Sequence, residues 1–278
     1  MYRDVVVTAV LVVVAASSVR SEVSPRFHWR KGEVLTYRVT QKTSASESVD
    51  GKQFATQTRL QHVKQWRVVD VDAAGIATLE LSLKSLKLET TTPSKTVLRF
   101  DSQDPEKSDA DLARQLSQYV GVPIAVLRVD SLGQVVEVQE SKFVPASRFE
   151  SEPPFVVVLP KETLKKDRRW VRRYQITLPP PQGIGEKYDA VQQFDCTAIH
   201  SPMATIHFHS TVKNLPENLT ERIPLLQHLP KGEAVFDTET GRLNKAHSII
   251  DQTLENYRGE GTSYHFQSDY VEEFVGKE

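Results

Sequence analysis

The sequence predicts a mainly β protein built on long antiparallel strands, and three observations carry that prediction. The stretch Trp66–Leu83, WRVVDVDAAGIATLELSL, alternates apolar and polar residues on both sides of Asp72-Ala73-Ala74-Gly75. Period-two alternation marks a strand with one dry and one wet face. Similar alternation recurs along most of the chain, broken by Asp- and Gly-bearing turns. Strands separated by long helical patterns, the mark of a parallel sheet, are missing from the sequence. An open half-barrel and a two-sheet sandwich both satisfy these facts, with one or two short helices as cover.

The elements follow in order. Val5–Ala16 is an apolar run behind Arg3, followed by the small residues Ser17, Ser18 and Ser21. That is a secretory signal pattern over residues 1–21, too short for a membrane span, with cleavage expected after Ser18 or Ser21. Leu35, Tyr37 and Val39 alternate with polar neighbours and open the first strand. Asp50-Gly51 reads as a hairpin tip. In the central hairpin, pairing Asp72 with Gly75 sets Val68 opposite Leu79 and Trp66 opposite Leu81 on one apolar face. The phase then slips: Leu79, Leu81 and Leu83 are odd, Leu86 and Leu88 even, so a bulge is expected near Lys84 or Ser85.

A strand at Thr96–Phe100 precedes a short helix capped by Asp109 or Asp111. Strands at Ile124–Val129 and Val135–Gln139 flank Asp130-Ser131-Leu132-Gly133. Pro145–Pro154 is a polar, proline-bearing connector, and it divides the chain into β-rich halves at 22–150 and 151–278. The second half holds the apolar run Phe155–Leu159 and strands at Trp170–Ile176, Lys187–Ile199 and Met203–Val212. A short helical piece at Pro224-Leu225-Leu226, strands at Ala234–Asp237 and Leu243–Ile250 flanking Thr238–Gly241, and a strand at Ser263–Phe274 complete it. The order of elements in the two halves is alike. An internal duplication explains that, and so does the general reuse of Asp and Gly in hairpins.

Composition narrows the function. A formal net charge of -1 gives no electrostatic ground for nucleic-acid binding. One cysteine, Cys196, excludes disulfides within the chain and multi-cysteine metal sites. Its face, shared with Phe194, reads as core, not as a thiolate site. There is no Gly-x-Ser-x-Gly elbow and no phosphate cradle entering a helix, so no cofactor is expected. The candidate ligands are His207 and His209, on the polar side of their strand, with Asp195 placed opposite His207 if Ile199 pairs with Met203. Two histidines and a carboxylate on one face can hold zinc; the same residues also suit a plain wet face with a histidine–aspartate pair. The basic run Lys165–Arg173 is expected to be a loop followed by a solvated strand face.

The phrases FHWRKGEVLTYRV, WRVVDVDAAGIATLELSL, PPPQGIGEKYDA and VFDTETGRL resemble an uncharacterised family of exported β-rich proteins from planctomycete-type bacteria. The resemblance runs through most of the chain past the signal pattern. It implies a secreted or periplasmic compartment and carries no activity. The expected function is therefore a non-enzymatic envelope protein that binds a partner on a sheet face, either an apolar small molecule or an envelope protein. The alternatives are a metal-assisted hydrolase using His207, His209 and Asp195, and a structural envelope component assembling through edge strands.

Overall fold

The central hairpin forms as its alternation requires. Gly75 donates its amide to the Asp72 carbonyl and Asp72 to Ile76, both at 3.0 Å. Trp66 faces Leu81 and Val68 faces Leu79, and all four are buried. The register slips between Val63 and Lys64 of one strand, leaving Lys84 of the other as the expected bulge. The computed structural model describes residues 24–277, so the signal pattern lies outside the described residues.

The strands are β1 (Val34–Val49), β2 (Lys52–Val71), β3 (Ala77–Thr91), β4 (Val97–Asp101), β5 (Pro123–Val129) and β6 (Val135–Ser141). They continue with β7 (Arg169–Leu178), β8 (Glu186–His200), β9 (Met203–Val212), β10 (Lys231–Asp237), β11 (Arg242–Glu255) and β12 (Ser263–Lys277). The helices are α1 (Ala110–Leu116), α2 (Ala146–Ser151) and α3 (Leu219–Arg222), the last running into a 3-10 segment at Ile223–His228. The third helix exceeds the one or two expected; α2 lies in the stretch read as a connector. Among the described residues no helix is long and apolar enough to cross a membrane.

All twelve strands form one antiparallel sheet, in the order β6-β5-β3-β2-β1-β12-β11-β10-β9-β8-β7, with β4 also on β3. The sandwich alternative is thereby set aside. The sheet is open, with β6 and β7 as its edges, and α2 touches both. Strands from residues 22–150 and 151–278 join where β1 pairs with β12. The order strand–strand–strand–helix–strand–turn–strand occurs in each half. The Asp-led turns do not by themselves mark a repeat. Asp72 Oδ1 accepts the amides of Ala74 and Ile76, and Asp130 Oδ1 those of Leu132 and Gln134, so the same turn recurs in two hairpins within one half.

The inward face explains the curvature. Tyr37, Trp66, Leu79 and Leu127 from one side of the sheet share a single buried cluster with Phe194, Ile206, Phe236 and Leu243 from the other. Strands so far apart in the order meet only because the sheet curls. The hollow of the curl is filled by the chain itself. Phe155 sits 5.2 to 5.7 Å, ring to ring, from Phe27, Trp29, Tyr37 and Trp66, and is fully buried. The run Phe155–Leu159 is therefore an irregular buried plug. Its backbone is tied by Leu159 donating to the Leu132 carbonyl at 2.8 Å. Gly133 has a φ of +85°, and a Cβ there would lie 2.5 Å from the Phe27 ring, so only glycine fits that turn.

Candidate functional site on the outward sheet face

The site is built by alternation along β8 and β9. Ala204, Ile206 and Phe208 point inward and are buried, which turns His207 and His209 out to water. On β8, Phe194 and Cys196 point inward, which turns Gln193 and Asp195 outward. Asp195 lies opposite His207, as expected, but by a different route. Ile199 pairs with Ala204, not Met203, and a bulge between Cys196 and Ala198 returns the register.

Two outward rows then cross five strands. One runs Arg169, Asp195, His207, Glu233, His247; the next runs Val171, Gln193, His209, Lys231, Ile249. Together they line a depression of about 790 Å³. Val171 and Ile249, 53% and 37% exposed, give the second row an apolar residue at each end. Each ion pair is loose or solvated. Asp195 Oδ2 is 3.4 Å from Arg169 Nε, His207 Nε2 is 3.6 Å from Glu233 Oε2, and His247 Nε2 is 3.3 Å from Asp269 Oδ1. Beyond them, His265 Nε2 and Asp251 Oδ1 are 2.6 Å apart, and this contact holds the Asp251 carboxyl below the usual carboxylate range.

The three expected metal ligands thus share a face and neighbouring strands. They do not converge: Asp195 turns to Arg169 and His207 to Glu233. Among the described residues, no three His, Cys, Asp or Glu side chains are grouped so as to hold a metal ion. Cys196 is buried on the opposite face, and burial pushes its thiol up to about 11, which disfavours a thiolate nucleophile.

The basic run requires a correction. Arg169 is solvated, but Arg172 is buried beside Trp170 and Tyr174 on the inward side. It donates to the carbonyls of Glu150 and Ser151 at the end of α2, and its guanidinium lies 4.3 Å from the Tyr174 ring. A cation at a helix C-terminus satisfies carbonyls that lack partners within the helix. Burial draws the guanidinium down to about 10.

One buried polar group escaped sequence reasoning altogether. Glu272 is fully buried, bonded to Lys64 Nζ at 2.9 Å and to the Tyr270 hydroxyl at 2.6 Å. The signal for it was present: Glu272 falls in the same phase of β12 as Tyr270 and Phe274.

No family model matches the sequence, and no curated protein matches it. Among solved structures, an outer membrane channel from Pseudomonas putida shares 7% identity over 90% of this chain and 97% of its own, with a TM-score of 0.24. The open-gate secretin InvG of the Salmonella type III secretion injectisome shares 9% over 90% of this chain and 61% of its own, at 0.16. A DUF1329 family protein from Desulfovibrio piger shares 10% over 86% and 84%, at 0.13. At these TM-scores the likeness carries neither kinship nor function. Fold and site define an open antiparallel β-sheet protein with a filled inward face and a polar outward depression.

Proposed function

We propose that the chain is an exported, non-enzymatic protein that holds a partner against the outward face of its sheet between β7 and β11. The supporting observation is where the room lies. The inward face, where an apolar ligand would sit, is packed with Phe27, Trp29, Phe155, Val157 and Leu159 of the chain itself. The outward face carries the depression instead, with charged side chains and two exposed apolar ones. The apolar run behind Arg3 and the small residues after it support export to the periplasm or beyond. The exported chain should then begin after Ser18 or Ser21.

The test is a photo-crosslinking residue placed at Val171, in the depression, and in a second protein at Val136, an exposed control on β6. In the host envelope, the Val171 protein should trap a macromolecule that the Val136 protein does not. Identical, empty patterns from both would overturn the reading.

A further inference from the structure

The connection between β6 and β7, residues 142–168, is long, and its regular structure is the single short helix α2. Connections of this length with little structure of their own are uncommon in compact domains and usually serve a function. This one enters the curl, sets Phe155 against four aromatic rings, and leaves again to start β7.

Its backbone is strained where it is most enclosed. Val156, the residue after Phe155, has a φ of +64°. Val157 donates its amide to the Phe155 carbonyl at 2.6 Å and so closes a three-residue turn around Val156. A turn of this kind with positive φ at its centre is the rare, strained form. A β-branched side chain makes it worse, because the Cβ crowds the following carbonyl.

Few bonds hold this segment to the sheet. The Leu159 amide donates to the Leu132 carbonyl, Trp170 Nε1 to that of Val158 at 2.7 Å, and Lys64 Nζ to that of Pro154 at 3.4 Å. Arg172 donates to the carbonyls of Glu150 and Ser151, and Arg26 to those of Pro160 and Lys161. By contrast, β1 is paired along its length with β2 on one side and β12 on the other. Two sheet residues against the segment also keep an unused donor. Trp66 Nε1 and Arg172 Nε are buried with no hydrogen-bond partner among the described residues. Both would gain water if the segment lifted, so the seated state forgoes those bonds.

We infer that residues 145–164 are a strained strap that lifts out of the hollow as a unit while the twelve-stranded sheet stays folded. The inward aromatic face is then gated, not permanently filled. Strain at Val156 and the unused donors favour the lifted state. Burial of Phe155, Val157 and Leu159 favours the seated one, and the ties to backbone carbonyls set the balance. This device belongs to the inward face and stands apart from the docking role proposed for the outward one.

The experiment is native-state amide hydrogen exchange on the purified full chain. The Leu159 amide is bonded and buried in the seated strap, so it exchanges only when the strap lifts. It should exchange on the order of a hundredfold faster than the β1 amides that lie between β2 and β12. V156G should slow exchange at Leu159 on the order of tenfold, because glycine takes a positive φ freely and the strain is gone. R172M should speed it by at least as much and leave the β1 amides unchanged, because it removes a tie from strap to sheet. An ordinary core segment behaves in the opposite way: V156G would speed exchange by deleting a packed side chain. Wild-type exchange at Leu159 in step with β1, faster exchange in V156G, or an unaltered strap in R172M would each overturn the inference. Should R172M not fold, the wild-type comparison and V156G decide.

Discussion

The two faces of β9 differ by one residue of phase and by almost everything else. Ile206 and Phe208 are locked in the cluster that joins both arms of the curled sheet. His207 and His209, one residue away, are exposed to water. The inward face is specified by mutual packing, so each of its side chains is constrained by many others. The outward face is constrained only to stay polar, and that leaves it free to carry charge in a pattern. Stability should therefore reside on one side and binding on the other.

Four measurements would break or sharpen that contrast. The largest effect is expected at Phe155, which meets four other aromatic rings in the plug. Phe155→Ala should cost about 4 kcal/mol in urea denaturation, through lost burial and the cavity left behind. A loss under about 1 kcal/mol would mean the curl does not depend on its filling.

Next is the buried ion pair. Lys64→Met strands Glu272, whose side chain is fully buried, and should cost about 3 kcal/mol. The double variant Lys64→Met/Glu272→Gln should recover most of it, since the buried charge is gone while the glutamine side-chain oxygen can still accept from the Tyr270 hydroxyl. If the double variant were as unstable as the single, the pair would be contributing more than mutual neutralisation.

His62 tests the inward face by pH. Burial, with Lys64 nearby, lowers it from 6.5 to about 4. Its folded value lies below its unfolded one, so between those pH values the unfolded chain takes up a proton that the folded chain refuses. Stability is full above about pH 6.5 and should fall by up to about 3 kcal/mol as pH drops toward 4. His62→Leu should remove this part of the acid sensitivity. A parallel acid decline in that variant would assign the loss to other groups.

The smallest effect is expected at His207, which is exposed and only loosely paired with Glu233. His207→Ala should change stability by about 0.5 kcal/mol or less. A larger cost would show that the outward rows also hold the sheet together.

Much of this contrast is legible in the sequence, because alternation reports which face a residue takes. The Trp66–Leu81 and Val68–Leu79 pairs and the Lys84 bulge follow from phase and turn chemistry, whereas Asp195 faces His207 only because the bulge between Cys196 and Ala198 offsets the Ile199–Ala204 pairing. Phase does not say what covers a face. Arg172 shares its phase with Trp170 and Ile176, yet its burial depends on α2 arriving from another part of the chain with open carbonyls. Phe155–Leu159 has the composition of a strand, but it finds its partners in aromatic rings contributed by Phe27, Tyr37 and Trp66. No local pattern announces that meeting. The rows outside are half legible: His207 and His209 stand out by spacing, while Glu233, Lys231 and His247 join them only through pairings between β9, β10 and β11.

The pairing of β1 with β12 has a consequence for how the molecule is assembled. Leu35 lies beside Lys277, so the seam between the two arms joins residues far apart in the sequence. Contacts of such long sequence separation carry a high loop-closure entropy and slow the search for the native state. Until β12 arrives, β1 and β11 each present a long unpaired border. β12 is therefore a keystone, and the borders of β1 and β11 must be kept from pairing with neighbouring chains until it slides into place.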